Sequence, residues 1–223
     1  MPAPLTNEQN PAFSQYCEAI FELKEDDLDV IQARIADRLG VSRPAVSEMV
    51  RRLELEGLVT LEGGIELTRR GRDLAESVVR RHRLAERMLT DMLGLSWAEA
   101  HAEASKWEAV ISPRVEAAMN EVLGDPTTCP HGNPIPGSDY RPPDTVVLAD
   151  LAVGGRFRIT RIPEQLEFTP GLLQFLEAAS LTPGNQGAVS AVSPDGTLTV
   201  QVGEGSIGIG SFAAKRIMVT ELS

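Results

Sequence analysis

Along the first part of the chain, apolar residues recur at helical spacing and are punctuated by capping signals. Asn10 followed by Pro11 reads as an N-cap with proline at the first helical position. The segment "AFSQYCEAIFELKE" then carries Phe13, Tyr16, Ile20, Phe21 and Leu23 on one broad face. Two shorter helices are predicted over "VIQARIADRLG" and "RPAVSEMVRRLELEGL", split by "VS". Gly40 ends the first and Ser42 caps the second, so Ile31, Ile35 and Leu39 should face Val46, Val50 and Leu53. In "LVTLEGGIELT" the period falls to two, which predicts two short strands turning at Gly63-Gly64. Thr68 caps a long helix running from about Arg69 to Met92. Ser96 and Glu99 form a capping box for a helix containing "HAEASKWEAVIS", and Ser112-Pro113 start one more, ending near Gly124.

Residues 124 to 145 are rich in Pro, Gly and Asp and read as a linker. From Thr145 onward the pattern is one of short β runs: "VVLADL", "RFRITRI", "GAVSAV", "TLTVQV" and "RIMVTEL", with "SPDGT" as a turn and one short helix near Gly171 to Ala178. The chain is thus α+β, with predicted domains at 1–74, 75–144 and 145–223, the last a small β-barrel. "GEGSIG" at 203–208 fits a nucleotide-binding glycine pattern, but no helix follows it, so it is read as a glycine-rich β-turn region.

Two helices joined by a turn of this length and followed by a glycine-turned hairpin form a winged helix-turn-helix. In that arrangement the second helix enters the major groove and the wing lies along the backbone. Its solvent side offers Ser42, Arg43, Pro44, Ala45, Ser47, Glu48, Arg51 and Arg52. Arg51 and Arg52 suit phosphates, while Ser42, Arg43 and the small Pro44-Ala45 surface suit base edges and thymine methyls. Glu48 could accept from a cytosine amino group. A net charge of −11 argues against a nucleic-acid partner only as an average. Between Ile31 and Thr90 there are 12 Arg against 9 acidic residues, so the acidity lies elsewhere and the local field is mildly basic. A winged helix used for protein docking is the plainer alternative.

Composition narrows the class further. With 42% apolar residues the chain can build proper cores, yet no run approaches a membrane span. The N-terminal "MPAPLTNEQN" lacks the basic and apolar regions of a signal peptide. Cys17 and Cys129 lie too far apart to suggest a disulfide framework, which points to a reducing, cytoplasmic setting. No nucleophile elbow, phosphate loop or paired CxxC occurs, so an enzyme is not expected.

The chain has three histidines: His82, His101 and His131. His82 and Glu86 project from one helix face, as do His101, Ser105 and Glu108 on the next. At ~1.5 Å rise per residue, His101 and Glu108 stand roughly 10 Å apart, which suggests two ligand positions rather than one. Histidines near Arg and Glu on amphipathic helices also serve as salt-bridge residues, and spacing alone leaves both readings open.

"RIADRLGVSRPAVSEMVRRLELEGLV", "RRHRLAERML", "HAEASKWEAVIS" and "PTTCPHGNPIPG" together resemble the diphtheria-toxin-repressor family of iron- and manganese-dependent regulators, over nearly the whole length. The resemblance implies a helical metal-binding and dimerisation domain and a C-terminal SH3-like domain. It also implies a homodimer, or two dimers per site, on palindromic operator DNA, loaded with Fe(II) or Mn(II). Residue by residue, His82, Glu86 and His101 match the family's ancillary metal site, Glu108 a primary-site carboxylate, and Arg83 and Asn133 an anion site. Departures follow the same positions. Gln15, Ser105 and Ala109 stand where iron-type members use Met, Cys and His, and Thr169 and Leu172 where the third domain usually supplies Glu and Gln. Glu18 matches a first-helix Glu of manganese-type members, so Gln15, Glu18 and Glu108 would make an oxygen-rich site, with His82 shared. Cys129 and His131 could add donors, although Cys129 also reads as a small residue packing its loop, and Glu167 could stand in for the missing third-domain ligands. Two functions from different classes follow: a metal-dependent repressor, or a regulator on the same scaffold with a degenerate primary site, acting without metal or sensing another ligand through the SH3-like domain. A metal-binding protein without a DNA role is a third.

Overall fold

The computed structural model describes residues 10–222; the N-terminal stretch read above against a signal peptide lies, apart from Asn10, outside them. The chain divides into two compact units. The first comprises residues up to His82 together with Lys106–Ile111, and the second comprises Arg83–Ser105 and everything from Ser112.

In the first unit, α1 (Pro11–Glu25) begins where Asn10 accepts the Ala12 amide, as the cap predicts. α2 (Gln32–Leu39) stops at Gly40, which adopts the left-handed φ of 64° that a side chain would oppose. Two residues later Ser42 accepts the Ala45 amide and opens α3 (Arg43–Leu55). A short hairpin follows, β1 (Val59–Thr60) paired antiparallel with β2 (Glu66–Leu67), and then α4 (Arg69–Arg87) starts. Phe13, Tyr16, Cys17, Ile20, Ile35, Val46, Val50 and Leu53 interlock in one core, so the helix-turn-helix is packed directly on α1. Of the predicted pairing residues, Ile31 is half exposed rather than buried, because it precedes the first turn of α2.

The second unit contains the end of α4, which loosens into a π-helical turn at Met88–Met92 that sequence periodicity does not reveal. It continues with most of α5 (Trp97–Trp107), α6 (Pro113–Val122) and the β-rich tail. That tail holds β3 (Val146–Val147), β4 (Arg156–Arg161), α7 (Glu164–Glu167), α8 (Leu172–Ala178), β5 (Gln186–Val192), β6 (Leu198–Val202), β7 (Gly205–Ile209), α9 (Ser211–Ala214) and β8 (Met218–Leu222). Six strands form one antiparallel sheet in the order β3-β8-β4-β5-β6-β7. The glycine-rich stretch read as a turn is largely edge strand β7, in register with β6, and only Val202–Gly205 turns. The chain reverses there because Gly203 takes a φ of 58°. The short helices α7 and α9 are also absent from the sequence reading, being too brief to carry a period. Trp97 from the start of α5 enters the same core as Leu148, Phe157, Ile159, Leu166, Leu176 and Val219. The unit therefore has a single core that joins helical and β parts.

The segment expected to be a linker is folded in its first half. Cys129, Pro130, His131, Gly132, Asn133 and Ile135 are all buried. The Cys129 amide donates to Asn133 O at 2.8 Å and Gly132 to Cys129 O at 3.0 Å, closing a tight turn, and Ile162 then donates to His131 O at 2.8 Å. Gly132 has no alternative here: its φ is 87°, and a Cβ would lie 2.1 Å from Thr160 O. Proline- and glycine-rich composition marks this segment as a turn, but burial makes it structure.

Candidate metal centres and nucleic-acid interface

In the first unit, the recognition side is open as predicted. Val46, Val50 and Leu53 point inward, which leaves Ser42, Arg43, Pro44, Ala45, Glu48, Arg51 and Arg52 exposed and Ser47 half-buried. At 100° per residue, Pro44 and Glu48 lie almost opposite the buried stripe, with Arg51 to one side and Ala45 and Arg52 to the other. Arg52 is braced over the Phe13 ring at 5.6 Å, which limits its reach to nearby groups. Ser42 Oγ is engaged as the helix cap. The wing carries Glu62 and Glu66, so its own side chains bring negative charge to the backbone it would follow.

Elsewhere the same unit assembles three donors, one of them on α1. His82 Nδ1 meets Glu108 Oε2 at 2.6 Å, with side chains 7% and 12% exposed. Ligand atoms of Glu18, His82 and Glu108 lie within 4.8 Å of one another. Burial, then the neighbouring carboxylates of Glu22 and Glu108, push the Glu18 pKa well above the usual carboxylate range, against the pull of His82 and Arg38. Glu22 in turn is buried and ion-paired with Arg38 of α2. With that pair balanced, Glu18 and Glu108 would offer two negative charges beside the His82 imidazole once Glu18 gives up its proton, which burial and Glu22 oppose until a cation is there. A divalent cation matches that balance, and an O,N,O donor set favours hard ions such as Mn(II) and Fe(II). Gln15, expected to join Glu18, is exposed, and Ala109 is exposed as well.

The second unit holds a denser cluster. His101 Nδ1 lies 2.9 Å from Glu86 and 3.1 Å from Glu167 Oε2. His131 Nδ1 lies 2.9 Å from the same Glu167 oxygen and 3.6 Å from Glu86. Cys129 Sγ is 3.8 Å from His131 Nδ1, and Glu86, Cys129 and His131 place their ligand atoms within 4.8 Å. Burial works against charge on His101, yet its hydrogen bonds to Glu167 and Glu86 outweigh that and lift its pKa to about 10. Burial likewise opposes charge on His131, but Glu167 and Glu86 raise its pKa well above the usual range. Burial opposes charge on Glu167 too, and chiefly His131 brings its pKa down to about 2. With Glu86 and Glu167 ionised and both imidazoles protonated, the direction in which these shifts point, the cluster is neutral, two carboxylates against two imidazolium ions. One divalent cation would replace two protons and keep that neutrality, which is the strongest sign that the residues fit a metal. Cys129, raised in pKa by burial and then by Glu86, would lose its proton only on coordination.

Neighbours orient these donors. The Trp97 and His131 rings meet edge to face at 4.6 Å, and Phe168 meets His101 likewise at 4.9 Å. Glu177 accepts from the Trp97 amide at 3.2 Å, which anchors the first turn of α5. Asn133 Nδ2 donates to Glu167 at 2.6 Å and to Ile162 O at 3.0 Å, and its Oδ1 accepts from Arg161. Arg83, completely buried, donates to Glu164 at 3.1 Å and to Pro134 O. Where an anion was expected at Arg83 and Asn133, Glu164 thus brings a carboxylate to Arg83. Thr169 bonds Gln165 O and Leu172 is half-buried, whereas Glu167 reaches the cluster. Ser105 is exposed and donates back to His101 O, as a helical serine does. Two features could not be found by spacing: the turn that brings Cys129 and His131 in, and the α7 carboxylates.

Comparison with known proteins agrees with this architecture. Residues 11–64 match the model described as the iron dependent repressor N-terminal DNA binding domain. Residues 68–137 match the metal binding and dimerisation domain of the same repressors, and 146–221 the FeoA domain. The diphtheria toxin repressor of Corynebacterium diphtheriae is 37% identical over 218 residues, spanning 93% of this chain and 96% of that protein. The chain belongs to the diphtheria-toxin-repressor family. The iron-dependent repressor IdeR of Mycobacterium tuberculosis is 46% identical over 150 residues, 66% of this chain, and the match spans only 61% of its length. Among solved structures of this family's shape, a manganese-dependent transcriptional repressor in complex with manganese superposes with a TM-score of 0.82 at 33% identity, covering 94% of this chain and 99% of the other. Like its relatives, this family member has an N-terminal helix-turn-helix, a helical middle and a C-terminal antiparallel sheet. Among its described residues no helix is long and apolar enough to cross a membrane.

Proposed function

We propose that this family member is a cytoplasmic regulator, not an enzyme: a homodimeric, metal-dependent repressor that binds palindromic operator DNA when loaded with Mn(II) or Fe(II). The observation that carries the reading is the buried, charge-balanced cluster of Glu86, His101, His131 and Glu167 with Cys129 beside it. Glu18, His82 and Glu108 form the second centre. A bound divalent ion supplies positive charge that holds carboxylates and imidazoles from separate elements together. The chain's own residues do the rest. Arg43, Arg51 and Arg52 meet phosphates and base edges, and Pro44, Ala45 and Glu48 face the groove floor. Met92, Leu93, Val115 and Val122, all about half exposed or more in the second unit, give an apolar surface for a second copy. Loading shifts the population toward the DNA-binding geometry because that geometry brings the ligands together.

The test is operator-fragment binding in chelator and then with Mn(II), Fe(II), Co(II) and Zn(II) in turn. Binding should appear with Mn(II) or Fe(II) and fall away in chelator. Equal binding with and without metal would sink the metal-dependent reading and return the metal-independent one.

A further inference from the structure

α5 is capped twice, once from its own chain and once from the β-rich tail. The Ser96 amide and hydroxyl both donate to Glu99, at 3.0 and 2.6 Å, and Ser96 Oγ accepts the Glu99 amide. Glu177 of α8 nonetheless reaches across 80 residues of chain and accepts the Trp97 amide with both oxygens, each at 3.2 Å. A helix that caps itself does not need Glu177 in order to form. What Glu177 adds is a fixed point between α8 and the first residue of α5. That point bears on the cluster of Glu86, His101, His131 and Glu167 by two routes. The buried Trp97 ring meets the His131 ring edge to face at 4.6 Å. Trp97 also starts the helical turn that ends at His101, four residues on, so the two residues share one helix face. His101 Nδ1 in turn sits 2.9 Å from Glu86 and 3.1 Å from Glu167. A helix moves as a body, so a slide of α5 by about 1 Å would spoil both His101 contacts and the seat of the His131 ring together.

We propose that Glu177 is a positioning residue of this centre: it sets where α5 begins, and through Trp97 and His101 it holds both imidazoles at ligand distance. The β-rich tail thereby serves the centre twice. Glu167 is a donor, and Glu177 anchors the helix that brings His101 to it. The inference rests on the proposed metal role of the cluster, and the His101→Ala arm of the test separates the two.

The experiment titrates the full chain with Mn(II), without DNA, for the unmodified protein and for His101→Ala, Glu177→Ala, Glu177→Gln and Glu177→Asp. The binding step that His101→Ala removes belongs to this centre; if it removes none, the site assignment fails and the proposal with it. At that step Glu177→Ala should bind Mn(II) about 10- to 100-fold more weakly, the loss typical when a partner that orients a ligand is removed. The step at the Glu18–His82–Glu108 centre, and helix content by circular dichroism, should stay as they are. Glu177→Gln should bind like the unmodified chain, because its carbonyl oxygen accepts at the same reach. Glu177→Asp keeps the charge but is one methylene short, and should weaken the step as Glu177→Ala does. A purely electrostatic cap predicts the reverse, Asp retained and Gln weakened, and that order overturns the proposal. So does Glu177→Ala at full Mn(II) affinity, or an equal loss at both steps, which marks a general structural role. Metal-free emission of Trp97, read in a Trp107→Phe background, should change in Glu177→Asp and not in Glu177→Gln; no change in Glu177→Asp overturns the proposal as well. Should Glu177→Ala not fold, the Asp and Gln pair decides alone.

Discussion

Raising the pH should destabilise the metal-free protein while leaving the loaded one nearly unaffected. The cause is the protonated pair His101 and His131 facing Glu86 and Glu167. His101 is lifted from 6.5 to about 10, and His131 is raised as well. A histidine whose folded pKa is raised contributes stability that is full below its unfolded value and is lost as the pH climbs through the folded one. Between about pH 6.5 and 10, then, folded metal-free His101 holds up to one more proton than in the unfolded chain, and His131 shifts the same way. Linkage converts each extra proton into a loss of roughly 1.4 kcal/mol of stability per pH unit. From pH 7 to 8 His101 costs about 1.2 kcal/mol, and His131 adds to the loss in the same direction. With about 1 kcal/mol shifting Tm by ~2–4 °C in a chain of this size, His101 should lower the melting of the second unit by roughly 2–5 °C at pH 8, and His131 should deepen the fall. Glu167 acts at the other end: its pKa, lowered to about 2, gives stability that is present above 4.5 and lost as the pH falls. The metal-free optimum should therefore lie between about pH 4.5 and 6.5. In the Mn(II) form the imidazoles carry no proton to lose, so the slope above pH 6.5 should vanish and the gap between the two forms should widen. Thermal melts in EDTA and in Mn(II), from pH 5.5 to 8.5, measure both slopes. A metal-free Tm that is flat or rising from pH 6.5 to 8.5 would refute the protonated cluster, as would a parallel fall in Mn(II).

Three further outcomes are expected. His101→Ala should abolish Mn(II)-dependent operator binding while Ser105→Ala changes it by less than about twofold, since a single exposed hydroxyl bonded to its own helix contributes little; equal losses in gel-shift titrations would show the donor assignment to be wrong. Glu164→Ala leaves the fully buried Arg83 without its carboxylate and should cost roughly 3–5 kcal/mol by urea denaturation, and an effect below about 1 kcal/mol would mean that Arg83 is solvated in solution. Arg51→Ala should weaken operator binding evenly across sequences and reduce the log–log salt slope by about one; an unchanged slope would remove Arg51 from the phosphate contacts.

Much of the local structure is legible in the sequence. Asn10, Gly40, Ser42 and Ser112 mark helix ends where the structure has them, because a cap acts within one turn of its own chain. Exposure of Pro44, Glu48 and Arg51 likewise follows from periodicity, since Val46, Val50 and Leu53 fix which side of α3 is inside. Short elements escape this logic. α7 spans only Glu164–Glu167, and β7 is glycine-rich, so neither presents a period to read.

The candidate centres divide along the same line. His82 and Glu86 one turn apart, and His101 on the next helix, could be picked out because helical spacing sets their directions, whereas Glu108, expected on that helix, falls in the turn just past its end at Trp107. Packing adds contacts that spacing does not show: His82 meets Glu108, and His101 meets Glu86, Glu167 and, through that carboxylate, His131. The turn at Cys129–Asn133 looked like a linker by composition, and only its burial against β4 makes His131 a donor. Sequence by itself determined the helices, the wing, the DNA-facing stripe and the pool of donors, because each depends on residues within a few turns of one another. Tertiary structure alone decided the grouping of Glu86 with Glu167 and of Glu22 with Arg38. Distances between elements are set by how whole cores close, and a centre whose donors must converge within a few ångströms depends on those distances.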